Sequence, residues 1–167
     1  MRVSWPSHEK ETLVRIVVGS DHAGYLLKNE LIPLLVDRGH EVIDVGTDST
    51  ESVDYPDFAV AASEVVLDGA ADRAIVICGS GAGMCIAANK IRGIRCFQAY
   101  DTYTAHQAVE HDDANMVSLA TSVTGRALAW EIVVAFLDAT FWDKGQYRRR
   151  LDKVLAIEDD NFRTEAT

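Results

Sequence analysis

Five short, mostly apolar runs recur along the chain: VRIVVG (14–19), EVIDV (41–45), RAIVIC (73–78), IRCFQA (94–99) and NMVSLA (115–120). Between them lie longer segments with helical periodicity, near 23–38, 56–68, 83–91, 102–111 and 124–141, and a basic helix begins near Gln146. Gly39 is placed to end the first helix and Pro56 to open the second, positions that suit each residue. Apolar strands alternating with helices predict an α/β protein, its sheet parallel and its crossovers right-handed.

The pattern implies a single-domain, Rossmann-like (flavodoxin-like) three-layer sandwich with a five-stranded parallel sheet in the order 2-1-3-4-5. Residues 14–160 form the domain, and 1–13 and 161–167 read as tails. In such a sheet ligands bind beyond the carboxyl ends of the strands, where the strand order reverses. Strands 1 and 3 are neighbours there, which brings SDHAG (20–24) beside CGSGAGM (78–84).

Composition narrows the partners. The 167 residues are enough for one domain with a proper core. A formal net charge of −10 argues against nucleic acid or an anionic membrane, which need a basic face. A small anionic substrate stays possible, because a few local cations can dominate a pocket. No apolar run approaches the ~20 residues that cross a bilayer. The three cysteines, Cys78, Cys85 and Cys96, make no CxxC pair, which suits reduced thiols in a cytoplasmic setting. Five scattered histidines, with no HExxH, predict no metal site and no cofactor held by one.

The glycine loop is neither of the two common phosphate cradles. Met84 occupies the position where the P-loop and the dinucleotide fingerprint both require glycine. What remains is a strand, Cys78, GSGAG and a helix start. Exposed N–H groups in such a loop can hold a phosphate or an oxyanion. A thiol acting as base at neutral pH needs nearby positive potential, which the helix start can supply. Each residue also has a plainer role: Cys78 as a small core residue, Asp21 as a helix N-cap, His22 as a surface imidazole, and EHDD (110–113) as a solvated helix end. Cys85 and Cys96 read as packing residues.

Together, GSDHAGYLLK, DYPDFA, ICGSGAGMCIAANKIRGIRC and YDTYTAHQAVEHDDAN resemble the ribose-5-phosphate isomerase B/galactose-6-phosphate isomerase family, across about residues 14 to 158. The resemblance implies a metal-free, cofactor-free aldose–ketose isomerase working through a cis-enediolate. Its default pair is D-ribose 5-phosphate and D-ribulose 5-phosphate. By that resemblance Cys78 is the base, Ser80 shuttles hydroxyl protons and His111 assists ring opening. Backbone N–H groups from Gly79 through Gly81, Ala82 and Gly83 stabilise the enediolate. Asp21, His22 and Tyr55 line the sugar and phosphate pocket, and Arg150 matches a phosphate-binding helix position. A homodimer or dimer of dimers is implied, with His111 of one copy acting beside Cys78 of another.

The departures bear on the substrate. Family members grip phosphate with several arginines, yet Ser122 and Gln146 stand at two of those positions. Arg148 and Arg149 share the Gln146 helix face less closely than Arg150 does. Asp112 stands where ribose-phosphate enzymes commonly carry Asn; an amide can donate to an enediolate oxygen, whereas a carboxylate repels it. Some relatives place a glutamate base where this chain has Met84, so Cys78 is the matching base. These positions motivate the same chemistry on another sugar, such as a tetrose or hexose phosphate or a free sugar. A reading from another class is a non-catalytic flavodoxin-like binding module, since fold does not dictate function.

Overall fold

The computed structural model describes residues 13–162. The expected tails lie outside the described residues apart from Leu13, Asn161 and Phe162. The chain runs β1 (Arg15–Ser20), α1 (Tyr25–Asp37), β2 (Glu41–Asp44), α2 (Tyr55–Leu67), β3 (Arg73–Cys78), α3 (Ala82–Ala88), β4 (Cys96–Gln98), α4 (Thr102–Asp112), β5 (Met116–Ala120), α5 (Arg126–Asp138) and α6 (Gly145–Asn161). Every strand pair is parallel.

Side-chain alternation sorts the core into two layers. Ile75 and Ile77 of β3 pack with Leu31, Leu35, Ile132 and Phe136 from α1 and α5. Ala74, Val76 and Cys78 point the other way, toward Ala59 and Ala62 of α2 and Met84 and Ala88 of α3. Helices therefore cover both faces of the sheet, which is why its central strands are apolar on consecutive residues rather than alternate ones. This is the three-layer α/β architecture that the strand–helix alternation predicts.

One detail of the topology is corrected. The sheet order is β2-β1-β3-β5-β4, not 2-1-3-4-5. The physical reason lies in the two strands exchanged. All five residues of β5 are buried, whereas β4 has three residues with Phe97 and Gln98 only half-buried. The fully buried strand takes the interior place, and the short one suits an edge. The exchange leaves β1 and β3 as neighbours, so the switch point stays where the sequence put it.

Two helix ends follow from named residues. Gly39 adopts φ +93° and closes α1 with bonds from its own N–H to Val36 (2.9 Å) and from His40 N–H to Leu35 (3.1 Å). That pair of bonds is the Schellman arrangement, open to glycine because it has no Cβ to clash. α5 stops at Asp138, short of the expected 141: Ala139 turns extended, and the Arg73 guanidinium satisfies the Phe136 and Ala139 carbonyls left at that end. Burial pulls Arg73 below the ordinary arginine value, and nearby Asp113 and Asp138 oppose that shift. Among the described residues no helix is long and apolar enough to cross a membrane.

Candidate active site

Three loops meet beyond the carboxyl ends of β1, β3 and β5. Asp21 N–H donates to the Ile77 carbonyl at 3.2 Å. A Cβ on Gly24 would stand 2.7 Å from the Ile77 carbonyl carbon, so only glycine lets the β1 loop lie this close to β3. From the other side, Thr121 N–H donates to the Cys78 carbonyl (3.0 Å) and Ser122 N–H to that of Gly79 (2.9 Å). The Thr121 hydroxyl reaches the Ala23 carbonyl at 3.2 Å, which ties the outer loops together across β3.

Cys78 ends β3 at the base of the glycine loop. It is 4% exposed and packs in the α2–α3 layer. Its sulfur nevertheless turns toward the loop, where it accepts the Gly81 N–H at 3.1 Å. Gly81 sits at φ +76°, a left-handed conformation that turns the chain sharply into α3. Ser80 and Ala82 are exposed at the loop's outer edge, and the Ser80 hydroxyl accepts the Ala82 N–H at 3.3 Å. The first N–H groups of α3 have no intrahelical acceptors, as at any helix start. Screened from bulk water, dipoles aimed at this sulfur act with more than their aqueous strength.

The remaining pocket residues gather around this point. One oxygen of Asp21, which is 6% exposed, accepts the N–H groups of Ala23 (2.9 Å) and Gly24 (3.0 Å). Its carboxylate thus shapes the turn ahead of α1; the N-cap position itself belongs to Gly24. His22 Nδ1 accepts the Val53 N–H at 3.2 Å and so ties that turn to the segment preceding α2. Tyr55 opens α2 with its ring over Gly83, where a Cβ would come within 2.8 Å of the ring. Asp21, His22, Tyr55, Cys78, Gly79, Ser80, Gly81, Ala82 and Gly83 therefore form one constellation.

His111, Asp112 and Arg150 do not join it. α4 leaves the carboxyl end of β4 and returns to the amino end of β5, so His111 near its last turn lies at the opposite edge of the sheet. Eleven residues at about 1.5 Å each put that turn roughly 15 Å along the helix from the crevice edge. There the His111 ring stacks against Tyr147 (4.6 Å between centroids) and Trp142 (5.1 Å). Arg150 is exposed on α6, one turn beyond Tyr147. Arg148 is tied back to Asp143 and Asp152, and holds the Asp143 carboxyl below its usual range. Asp112 borders a hollow of about 430 Å³ between β4 and α6.

Sequence reasoning missed several residues that build the site. Ser118 donates to the Gly81 carbonyl at 2.6 Å, and Gln98 and Tyr100 reach the Ser80 carbonyl. Ser118 carried a legible signal, since a lone hydroxyl in an otherwise apolar buried strand must find an acceptor. Gln98 and Tyr100 carried none, because their reach depends on where β4 lies. The other two thiols pack in the α2–α3 layer as expected, Cys96 buried and Cys85 half-buried. The neighbouring Cys96 side chain, helped by the Asn89 amide that donates to the Cys85 sulfur at 3.6 Å, pulls the Cys85 thiol down to about 7. The proximity of Cys85 and then burial push Cys96 up. Among the described residues no three His, Cys, Asp or Glu side chains are grouped to hold a metal ion.

Comparison with known proteins places this arrangement. The family model for ribose/galactose isomerases matches residues 16–154. Ribose-5-phosphate isomerase B of Escherichia coli is 42% identical over 144 residues, covering 86% of this chain and 96% of its own. D-erythrulose-4-phosphate isomerase of Pectobacterium atrosepticum is 42% identical over 130 residues, covering 77% and 86% respectively. The solved structure of Clostridium thermocellum ribose-5-phosphate isomerase B superposes with a TM-score of 0.85 at 47% identity, over 88% of this chain and 99% of that one. The chain belongs to the ribose/galactose isomerase family, and it is an isomerase enzyme rather than a binding module.

Proposed function

We propose that this chain interconverts an aldose and a ketose sugar phosphate by moving one proton through a cis-enediolate, with D-ribose 5-phosphate and D-ribulose 5-phosphate as its pair. One observation carries the reading: the Cys78 sulfur turns toward the glycine loop at the strand switch point and accepts the Gly81 N–H at 3.1 Å. As thiolate, Cys78 takes the proton from C2 of the open-chain aldose and returns it to C1. The negative charge moves onto O1, where N–H groups of the loop from Gly79 to Gly83 stabilise it, an effect often worth about 3–4 kcal/mol per donor. The exposed Ser80 hydroxyl relays the proton between O1 and O2. Asp21, His22 and Tyr55 form the wall along the sugar.

Ring opening needs an acid and a base, and His111 supplies them from a second copy of the chain, with Arg150 of that copy on the phosphate. The separation of His111 from Cys78 within one chain supports this. The enzyme is then a homodimer or a dimer of dimers, built on shared sites, and it works in the cytoplasm.

A second reading shortens the sugar. Ser122 lies beside Gly79, and Gln146 lies one turn before Arg150; neither carries the charge that a longer phosphate arm would meet. D-Erythrulose 4-phosphate then becomes the ketose, as the name of the Pectobacterium relative suggests. Deuterium uptake from solvent at C1 or C2, measured across tetrose, pentose and hexose phosphates and free sugars, tests both. Exchange fastest with ribose 5-phosphate and abolished by Cys78→Ala supports the first reading, and a tetrose phosphate winning supports the second. Exchange that survives Cys78→Ala overturns the role of the thiol.

A further inference from the structure

The Ser80–Gly81 peptide is gripped at both of its polar ends. Its N–H points at Cys78 Sγ (3.1 Å), and its carbonyl accepts from Gln98 Nε2, with the Tyr100 hydroxyl at 3.4 Å. In a trans peptide these two groups point in opposite directions, so whatever holds the carbonyl also aims the N–H. Gln98 sits in register with Ser118 on the neighbouring strand, and their side chains share one sheet face. From that face they take consecutive carbonyls of the loop, Gln98 that of Ser80 and Ser118 that of Gly81 (2.6 Å). The Gln98 amide also fills the space in which a Gly81 Cβ would lie, 3.1 Å from its Cδ and 3.3 Å from its Cγ.

We infer that Gln98 is a positioning residue for catalysis: by donating to the Ser80 carbonyl it holds the Gly81 N–H on the Cys78 sulfur and keeps that sulfur available as a thiolate. The inference rests on the proposed role of Cys78 as base. Tyr100 supports the same carbonyl from the segment after β4 and accepts from Gln98 in turn. The titratable groups on the segments bordering the glycine loop are Asp21 and His22 after β1, Tyr55 of α2 over Gly83, Cys85 on α3 and Tyr100 itself. Asp21 and His22 already accept backbone N–H groups of their own turn and of Val53, so neither competes for Gly81. Removing the Gln98 donor frees the Ser80–Gly81 peptide to rotate and exposes the sulfur to the loss of a charge-assisted bond.

The test reads the thiol directly and the reaction separately. Wild type, Gln98→Leu and Gln98→Glu are treated with iodoacetamide across a pH series, and Cys78 labelling is resolved from Cys85 and Cys96 by peptide mass spectrometry. The pH dependence of kcat/KM is recorded on the same preparations. Gln98→Leu should slow Cys78 alkylation near neutral pH about tenfold and move the rising limb of kcat/KM to higher pH by about one unit. Gln98→Glu, which swaps a donor for a charged acceptor, should do at least as much and carries the test if the leucine variant fails to fold. KM should change less than kcat, because the substrate wall is untouched. Alkylation and pH profiles that superimpose on wild type in either folded variant overturn the inference. A shift in Cys78 alkylation without isomerisation of any sugar by the wild type would sustain the role of Gln98 and overturn the assigned reaction instead.

Discussion

Two inactive variants should restore each other if the site is shared between copies. Cys78→Ala removes the base and His111→Ala removes the ring-opening group, each expected to cost about 10²–10⁴ in turnover of a cyclic sugar phosphate. Within one chain these residues belong to opposite edges of the sheet, separated by the length of α4, roughly 15 Å. No side-chain rotation spans that distance, so a complete site needs Cys78 from one copy and His111 from another. In a two-fold dimer of one variant with the other, one site lacks both groups and the other lacks neither. A heterodimer purified through two different tags should therefore show about half of wild-type activity, and a freely exchanged equimolar mixture about a quarter. The assay is ribose 5-phosphate isomerisation before and after subunit exchange, with exchange verified by the tags. A purified heterodimer no more active than its parents would refute the reasoning, because a site built inside one chain lacks one group in every copy.

Three further outcomes follow from particular contacts. Gly24→Ala puts a methyl against the Ile77 peptide, backbone against backbone, and should destabilise the fold by about 1–3 kcal/mol in urea unfolding while moving the Asp21 turn off β3. Cys85, pulled down to about 7, should be alkylated before Cys96 near neutral pH, and Cys96→Ala should move its labelling curve to higher pH. Because the folded state favours the Cys85 thiolate, that contribution to stability is full above the ordinary thiol value and is lost as pH falls through about 7. Ser122→Arg places a cation beside Gly79 and should lower KM for a pentose phosphate by about ten- to a hundredfold, read from initial rates on ribose 5-phosphate.

Much of the site was legible before any coordinates because its parts are local. The thiol one residue before GSGAG, the run of that loop into a helix start and the carboxylate ahead of the first helix are set by a few consecutive residues. Hydrophobic patterning was enough to predict a parallel sheet; the doubly wound order assumed for such a sheet then set β1 beside β3, which is where the two loaded loops meet. The resemblance of long stretches to sugar-phosphate isomerases then supplied roles that spacing does not carry.

The tertiary structure decided what depends on distance between segments far apart in the chain. Order at the sheet edge turned on the burial of β5 against the brevity of β4, a competition that no single window of residues contains. From that order follow the pairing of Gln98 with Ser118 and their hold on the glycine loop. The direction of α4 likewise carries His111 away from Cys78 within one chain, toward the amino end of β5. Local dihedral preferences are written in neighbouring residues, but which strand lies beside which is settled only when the whole core packs.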